Sequence, residues 1–327
     1  MSIIDAIAGS AQIPRGSDGL TPDHPARPYP AIHRLRASAW MRLLVFAAVF
    51  FVTAILSMSV FMAVTLSTAM NQTQSMLVTE LIPAIVAYLV LTLAMEDRIW
   101  PSELSPKTSG NLLKGMALGV VLVGLAVGVL ALIGSYRVVG VNAAYNPWAA
   151  LLTIGVTAGI AEEILFRGVL FRLVEEGLGS WGAVAVSALG FGAVHLTNPD
   201  ATWWGAIAIA VEAGVLFAGV YVLTRNLWWC IGLHFAWNMA EGPLFGSIVS
   251  GTGANSSWLQ AQWSGPELLT GGRFGLEASV VPVIIGAALG VLLLVHAHRR
   301  GLIVAPAWIR QARLNPAPIT LDRGLPS

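Results

Sequence analysis

Long apolar runs, separated by short polar connections, are the feature that limits this chain to few folds. A helix needs about 20 residues to cross a hydrocarbon layer of roughly 30 Å, and it satisfies its own backbone groups there. Runs near this length lie at Leu43–Leu66, Met76–Met95, Leu112–Ile133, Trp148–Leu173, Trp181–Leu196, Trp203–Leu223, Leu227–Ala240 and Val280–His296. Charged residues form 11% of the chain, against about 25% in soluble domains. We therefore predict an all-α polytopic membrane protein, a bundle of about eight transmembrane helices.

The remaining segments divide the chain into tails, a membrane domain and one long connection. Residues 1–40 are rich in Pro, Gly, Ser and Arg without an apolar period, which predicts a flexible cytoplasmic N-terminal tail. The membrane domain is expected at 41–300, where 241–278 forms an extracytoplasmic loop. Residues 301–327 are expected to form a basic cytoplasmic C-terminal tail. The single cysteine, Cys230, excludes an internal disulfide and a cysteine metal site.

Lys and Arg residues are divided unequally between the two sides of the predicted bundle. With both termini in the cytoplasm, all but two of the 18 fall on the cytoplasmic side, and the exceptions are Arg137 and Arg273. Cytoplasmic connections of membrane proteins carry such an excess of cations. We therefore predict a multi-pass protein of the cell membrane with both termini cytoplasmic. The partners expected are the lipid bilayer and a membrane-bound substrate, and no nucleic acid.

The fourth apolar run carries the sequence A-E-E-I-L-F-R-G, which includes Glu162, Glu163 and Arg167. Residues four apart share a face of a helix, whereas adjacent residues point about 100° apart. Glu163 and Arg167 are therefore expected to pair, while Glu162 faces elsewhere. A lone carboxylate inside a membrane helix costs about 2.5 to 3.5 kcal/mol, so Glu162 is a candidate functional residue.

Two later runs contain histidines with a companion residue one helical turn away. Phe191 and His195 share a face of their helix, and so do His234 and Asn238. Counting helical rise from the predicted cytoplasmic ends places His234 at a depth similar to that of Glu162, and His195 somewhat deeper. We therefore expect these side chains to meet in one intramembrane cavity, reached from the cytoplasmic side.

A carboxylate, two imidazoles and an amide suit the activation of water. Glu162 can take the proton of a water molecule that His195 holds, and His234 and Asn238 can donate hydrogen bonds to a tetrahedral oxyanion. A covalent nucleophile is not indicated, because these runs place no Ser or Cys beside a suitable base. The favoured reaction is hydrolysis of an amide bond inside the membrane.

The same residues also permit a zinc site. Two histidines and a glutamate form a known hydrolytic zinc set with one open position for water, here Glu162, His195 and His234. The helix motif H-E-x-x-H is missing, and Asn238 suits hydrogen bonding better than zinc, which favours the metal-free mechanism. Both mechanisms, with Zn²⁺ or without it, stay open at this point.

Three motifs in a fixed order resemble a known family. E-E-x-x-x-R, F-x-x-x-H and H-x-x-x-N, within a core of 148–240, resemble the CAAX protease and bacteriocin-processing (CPBP) family of intramembrane proteases, which includes the type II CAAX prenyl endopeptidase. The resemblance implies an endopeptidase in which Glu162 activates water and Arg167 is an orienting partner with Glu163. It also implies a membrane-associated or lipidated, CAAX-like protein or peptide as substrate. Members are often labelled metalloproteases, and a glutamate mechanism is also argued for them.

Two other functions are compatible with these motifs. The first is a non-catalytic immunity or interaction protein of the same family. The second is a transporter with a polar site at the midplane, which would require broken helices paired in two halves, and no such duplication is found.

Charged residues outside the three motifs are interpreted as follows. Glu80, in the second run, is either a functional group or a carboxylate at the interface, and Glu212, in the sixth, either lines the cavity or makes a structural bond. Arg172, Glu175 and Glu176, which follow the first motif, are interpreted as solvated charges at a helix end.

Overall fold

The computed structural model describes residues 3–8, 38–66, 69–253 and 256–314. The helices are α1 (Ile3–Ala8), α2 (Ala39–Thr65), α3 (Gln72–Met95), α4 (Asn111–Leu132), α5 (Trp148–Thr197), α6 (Trp203–Thr224), α7 (Leu227–Met239), α8 (Val280–Arg299) and α9 (Ala307–Leu314). Short helical turns lie at Ser102–Leu104, Pro106–Thr108, Ala240–Leu244, Glu267–Thr270 and Leu276–Ala278. Two strands, β1 (Tyr136–Val141) and β2 (Leu259–Trp263), pair antiparallel.

Helices long and apolar enough to cross a membrane dominate the described chain. There are 6 of them, namely α2, α3, α4, α5, α6 and α8. The prediction of an all-α polytopic membrane protein is confirmed. Two predicted spans lie in α5, which Gly179 divides with a φ of 72°, and the predicted span at Leu227–Ala240 corresponds to the shorter α7. A Cβ at position 179 would lie 2.6 Å from the carbonyl oxygen of Val304, so glycine is required there for both conformation and space.

The connections between the helices meet at two opposite ends of the bundle. The sheet end, named for β1 and β2, comprises residues 69–71, 133–147, 195–202 and 240–279. The arginine end comprises residues 38–42, 96–110, 172–180, 225–228 and 300–312. The long connection 241–278, predicted to be one extracytoplasmic loop, contains β2 and most or all of three helical turns, and it lies at the sheet end.

Buried ion pairs hold the arginine end together. Arg42 donates from Nη1 to Oε1 of Glu96 at 3.0 Å and from Nη2 to Glu176. Arg172 donates from Nη1 to the same oxygen of Glu96 at 2.8 Å. The interpretation of Arg172, Glu175 and Glu176 as solvated charges is wrong, because all three side chains are buried against partners from other segments.

Glycines allow the closest approach between helices. Gly115 and Gly119 on α4 lie against the backbone of α7, so that a Cβ at Gly119 would come within 2.7 Å of the carbonyl oxygen of Leu233. A Cβ at Gly232 on α7 would overlap the carbonyl of Leu112. Small residues of this kind let membrane helices pack backbone to backbone, and the contact fixes the position of α7, which carries His234.

The N-terminal segment differs from the predicted flexible tail where it is described. Residues 3–8 form α1, which packs on α6 with 1% of Ile7 and 4% of Ala8 exposed. Apolar side chains at one face of a short helix explain this contact, although the surrounding composition is polar. The rest of the predicted tail up to residue 37 lies outside the described residues.

Candidate active site

Side chains from α5 and α7 meet in one cavity of about 270 Å³. Glu162, His195, His234 and Asn238 all line this central cavity. Glu162 comes from the first arm of α5, before the break at Gly179, and His195 from the last turn of the second arm. The structure therefore brings together the four residues to which the sequence assigns the chemistry.

The carboxylate of Glu162 faces the cavity without a hydrogen-bond partner among the described residues. Its side chain is 24% exposed, and its Oε2 atom is buried and makes no hydrogen bond to the protein. Nε2 of His195 lies 4.0 Å from this oxygen. Since a hydrogen bond to water spans about 2.8 Å, one water molecule fits between the two atoms and can contact both.

The ring of His195 is held by its own helix. Nδ1 lies 2.6 Å from the backbone carbonyl oxygen of Phe191, which can only accept, so Nδ1 carries the proton and donates. The helix tightens here, since the backbone N–H of His195 bonds to Gly192 and Ala193 instead of Phe191. The Phe191 ring packs beside the imidazole with centroids 4.9 Å apart. This arrangement leaves the lone pair on Nε2 directed towards Glu162.

Glu163 has two partners, of which the sequence indicates one. Its Oε1 accepts from Nη1 of Arg167 at 2.8 Å, which is the pair expected from the helical spacing. The same oxygen lies 2.9 Å from Nδ1 of His234 on α7. The guanidinium of Arg167 lies over the rings of Phe191 and Phe217, at 4.7 and 4.9 Å from their centroids. Glu163 therefore orients His234, and Arg167 orients Glu163.

Asn238 links α7 to the first arm of α5. Its Nδ2 donates to the backbone carbonyl of Ile154 at 2.8 Å. Ile154 lies in a stretch of wider, π-type turns at Leu151–Thr157, and a second such stretch at Ile164–Phe171 follows the two glutamates. Turns of this type are frequent at functional sites. An amide nitrogen carries two hydrogens, so Asn238 keeps a second one for the cavity it lines.

The cavity wall contains residues beyond the three motifs. Glu80 and Met76 on α3 and Phe50 on α2 form one side of it. Glu80 as a functional group, one of the two interpretations open for it, is compatible with this position. Glu212 does not line the cavity. It is buried against Gly286 of α8, and neither of its carboxylate oxygens has a hydrogen-bond partner among the described residues.

The cavity lies nearer to the sheet end than the sequence predicts. Its lining residues outside the helices, Asn198, Val249, Ser250 and Thr252, belong to the sheet end, and none of its described lining residues comes from the arginine end. The expectation of access from the cytoplasmic side therefore conflicts with the predicted orientation. The rim contact between Asn198 and Ser250 joins two separate connections of the chain, so the lining at the sheet end depends on packing and not on helical rise.

The zinc hypothesis is tested by the positions of the donor atoms. Within the described residues, no three His, Cys, Asp or Glu side chains are placed to hold one metal ion. Two ligands of a tetrahedral zinc lie about 3.3 Å apart, given bonds of roughly 2.0–2.1 Å, whereas Glu162 and His195 are separated by 4.0 Å. As arranged here, Glu162, His195 and His234 do not fit a zinc ion.

The fold and the cavity define a polytopic helical membrane protein with a partly buried carboxylate, two imidazoles and an amide around one site. The family model described as "Type II CAAX prenyl endopeptidase Rce1-like" matches residues 144–240, which contain all three motifs. No curated protein and no solved structure matches the chain. The match to residues 144–240 confirms the resemblance to the CAAX protease family that was drawn from the motifs.

Proposed function

We propose that this protein is an intramembrane endopeptidase that hydrolyses a peptide bond of a membrane-associated protein or peptide. The observation that carries the proposal is the pair of acceptor atoms, Glu162 Oε2 and His195 Nε2, which lie 4.0 Å apart on the wall of the central cavity. Such a pair accepts both hydrogens of one water molecule and leaves an oxygen lone pair for attack.

Each residue has one task in the proposed reaction. Glu162 takes a proton as the water oxygen bonds to the scissile carbonyl carbon, and the carbonyl oxygen becomes an oxyanion. Asn238 donates its second Nδ2 hydrogen to that oxygen, and His234 donates from Nε2 when its ring carries both protons. The C–N bond then breaks, and Glu162 passes its proton to the leaving amine.

The protein groups that bond to the two histidine rings also support this assignment. The ring nitrogens facing the protein are already engaged, Nδ1 of His195 with Phe191 and Nδ1 of His234 with Glu163. Each imidazole is thereby fixed with Nε2 as the atom available to substrate or water. Groups held by a supporting shell in this way react without rearranging first.

The test compares Glu162→Gln with the wild type in proteoliposomes that also contain membrane proteins of the producing cell. New N-termini, identified by mass spectrometry, are expected with the wild type and not with Glu162→Gln. Glu212→Gln serves as the matched control, because Glu212 is a buried carboxylate that does not line the cavity. The same new termini in the Glu162→Gln sample would refute the protease proposal and favour a non-catalytic family member.

The metal-free mechanism has its own test. Metal analysis of the active protein and turnover after chelation are expected to show no stoichiometric metal and no loss of activity. Loss of turnover on chelation, restored by Zn²⁺, would overturn this part of the proposal.

A further inference from the structure

We propose that the substrate reaches the central cavity from the extracytoplasmic side, so that the cleaved segment lies outside the cytoplasm. This inference rests on the proposed proteolysis for the nature of the substrate, and on separate structural observations for the direction of access. These observations are the lining of the cavity, the closure behind it and the distribution of cations.

The lining continues from the catalytic residues to the sheet end. Thr197 and Asn198 follow His195 directly, and Ser250 and Thr252 stand opposite on the long connection. The side chain of Asn198 donates to the carbonyl of Ser250 at 2.6 Å, which joins the two segments at the cavity mouth. Thr197 is exposed. A polypeptide arriving at the sheet end would therefore meet the cavity at this rim.

The opposite direction is closed by packed side chains. Directly behind Glu162, the rings of Phe166 and Phe191 meet edge to face with centroids 5.1 Å apart. The buried Arg167–Glu163 pair fills the adjoining space, with both side chains fully buried. Beyond these residues lies the buried ion-pair network of the arginine end. None of the described residues that line the cavity comes from that end.

The cations identify which end faces the cytoplasm. Among the described residues, the arginine end and the adjoining helix ends carry Arg42, Arg98, Lys107, Lys114, Arg172, Arg225, Arg299, Arg300 and Arg310. The sheet end carries only Arg137 and Arg273 in the same part of the chain. Because cations concentrate on the cytoplasmic side, the sheet end is extracytoplasmic.

The cavity also restricts the charge of the segment that it accepts. Its described lining includes two carboxylates, Glu80 and Glu162, and no Lys or Arg. An acidic segment would bring further negative charge to this site, whereas a neutral or basic segment would not. The substrate class is therefore a neutral or basic extracytoplasmic segment of a membrane-anchored polypeptide, and not a cytoplasmic lipidated C-terminus.

The direction of access is testable without any proteolysis assay. Cys230 is fully buried and is not expected to react with a maleimide. Labelling of a variant with one introduced cysteine therefore reports the accessibility of that position. Ser256→Cys and Thr197→Cys place exposed cysteines at the sheet end, and Ser109→Cys is the matched exposed serine at the arginine end. Intact cells are treated with a membrane-impermeant maleimide, and the wild type measures the background.

The proposal expects Ser256→Cys and Thr197→Cys to react in intact cells, and Ser109→Cys to react only after permeabilisation. Reaction of Ser109→Cys in intact cells, with the other two protected, would overturn it. The labelling pattern is independent of catalysis, so a failed protease assay leaves this result interpretable. In the active protein, a bulky maleimide on Thr197→Cys applied from outside is further expected to lower proteolysis at least tenfold.

Discussion

His234 and Glu163 form a hydrogen bond of 2.9 Å between Nδ1 and Oε1, across two helices and 71 positions of sequence. The same carboxylate oxygen holds Arg167 at 2.8 Å. One buried carboxylate thus fixes a ring of the candidate site and neutralises a buried cation. Glu163 is therefore expected to affect both the stability of the protein and the position of a ring in the candidate site.

We expect Glu163→Ala to lower the free energy of unfolding by about 3–5 kcal/mol, because removing one partner leaves the buried charge of Arg167 uncompensated. Thermal unfolding in detergent measures this loss. The double variant Glu163→Leu/Arg167→Met is expected to regain part of this loss, since neither of the two positions then carries a charge. Unchanged thermal stability of Glu163→Ala would contradict the role of the ion pair.

The extent to which sequence predicts this site depends on the distance between partners along the chain. Glu163 and Arg167 lie one helical turn apart, so their pairing follows from helical geometry alone. The bond from Glu163 to His234 depends on how α5 and α7 pack, and no local pattern encodes it. The ion pairs of Arg172 and Glu176 were missed for the same reason, since their partners lie on distant segments.

Helical spacing predicts which residues form the cavity, whereas the connections that line its rim depend on packing. Helical spacing placed His195 beside Phe191 and His234 beside Asn238 correctly on shared faces. The side of access stays a prediction, because the cavity rim joins Asn198 to Ser250 across 52 positions of sequence, and depth counted along single helices does not include such a contact.

Asn238→Ala is expected to lower kcat about 10²–10³-fold, because it removes one donor to the oxyanion. The value of KM should change little, since this bond forms fully only in the transition state. Steady-state kinetics on a cleaved peptide would measure both constants. Asn142→Ala is the control amide, because the Asn142 side chain bonds within its own turn and does not line the cavity. A raised KM with unchanged kcat in Asn238→Ala would assign that residue to substrate binding.

The pH dependence of stability is expected to include a contribution from Glu103 at the arginine end. Burial disfavours its charged form, but Arg98 and Arg172 outweigh this effect and lower the pKa of Glu103 from 4.5 to about 2. The unfolded chain therefore takes up the proton first. The stabilisation, about 3 kcal/mol at most, is complete above pH 4.5 and is lost as the pH falls towards 2.

Thermal unfolding of Glu103→Gln and the wild type at pH 6 and pH 2.5 checks this contribution. The two proteins should differ clearly at pH 6, and the difference should shrink at pH 2.5. A difference that stays constant between the two pH values would show that Glu103 contributes through packing and not through its charge.

Gly232→Ala is expected to destabilise the protein by about 1–3 kcal/mol, because the added methyl group would overlap the carbonyl of Leu112 and push α4 from α7. Gly124→Ala on α4 is the matched control, since a Cβ there meets nothing within 4 Å. The Gly124 variant should unfold at or slightly above the wild-type temperature. Equal effects of the two substitutions would contradict the close helix contact.

The central claim is that Glu162 and His195 act together on one water molecule, and a double-mutant cycle tests it most directly. Turnover is measured for Glu162→Gln, His195→Gln and the double variant, with folding verified for each. Residues that act as a unit show strongly non-additive losses, so the double variant is expected to be no slower than the slower single variant. Losses that multiply, with each single variant retaining part of the activity, would contradict a shared water.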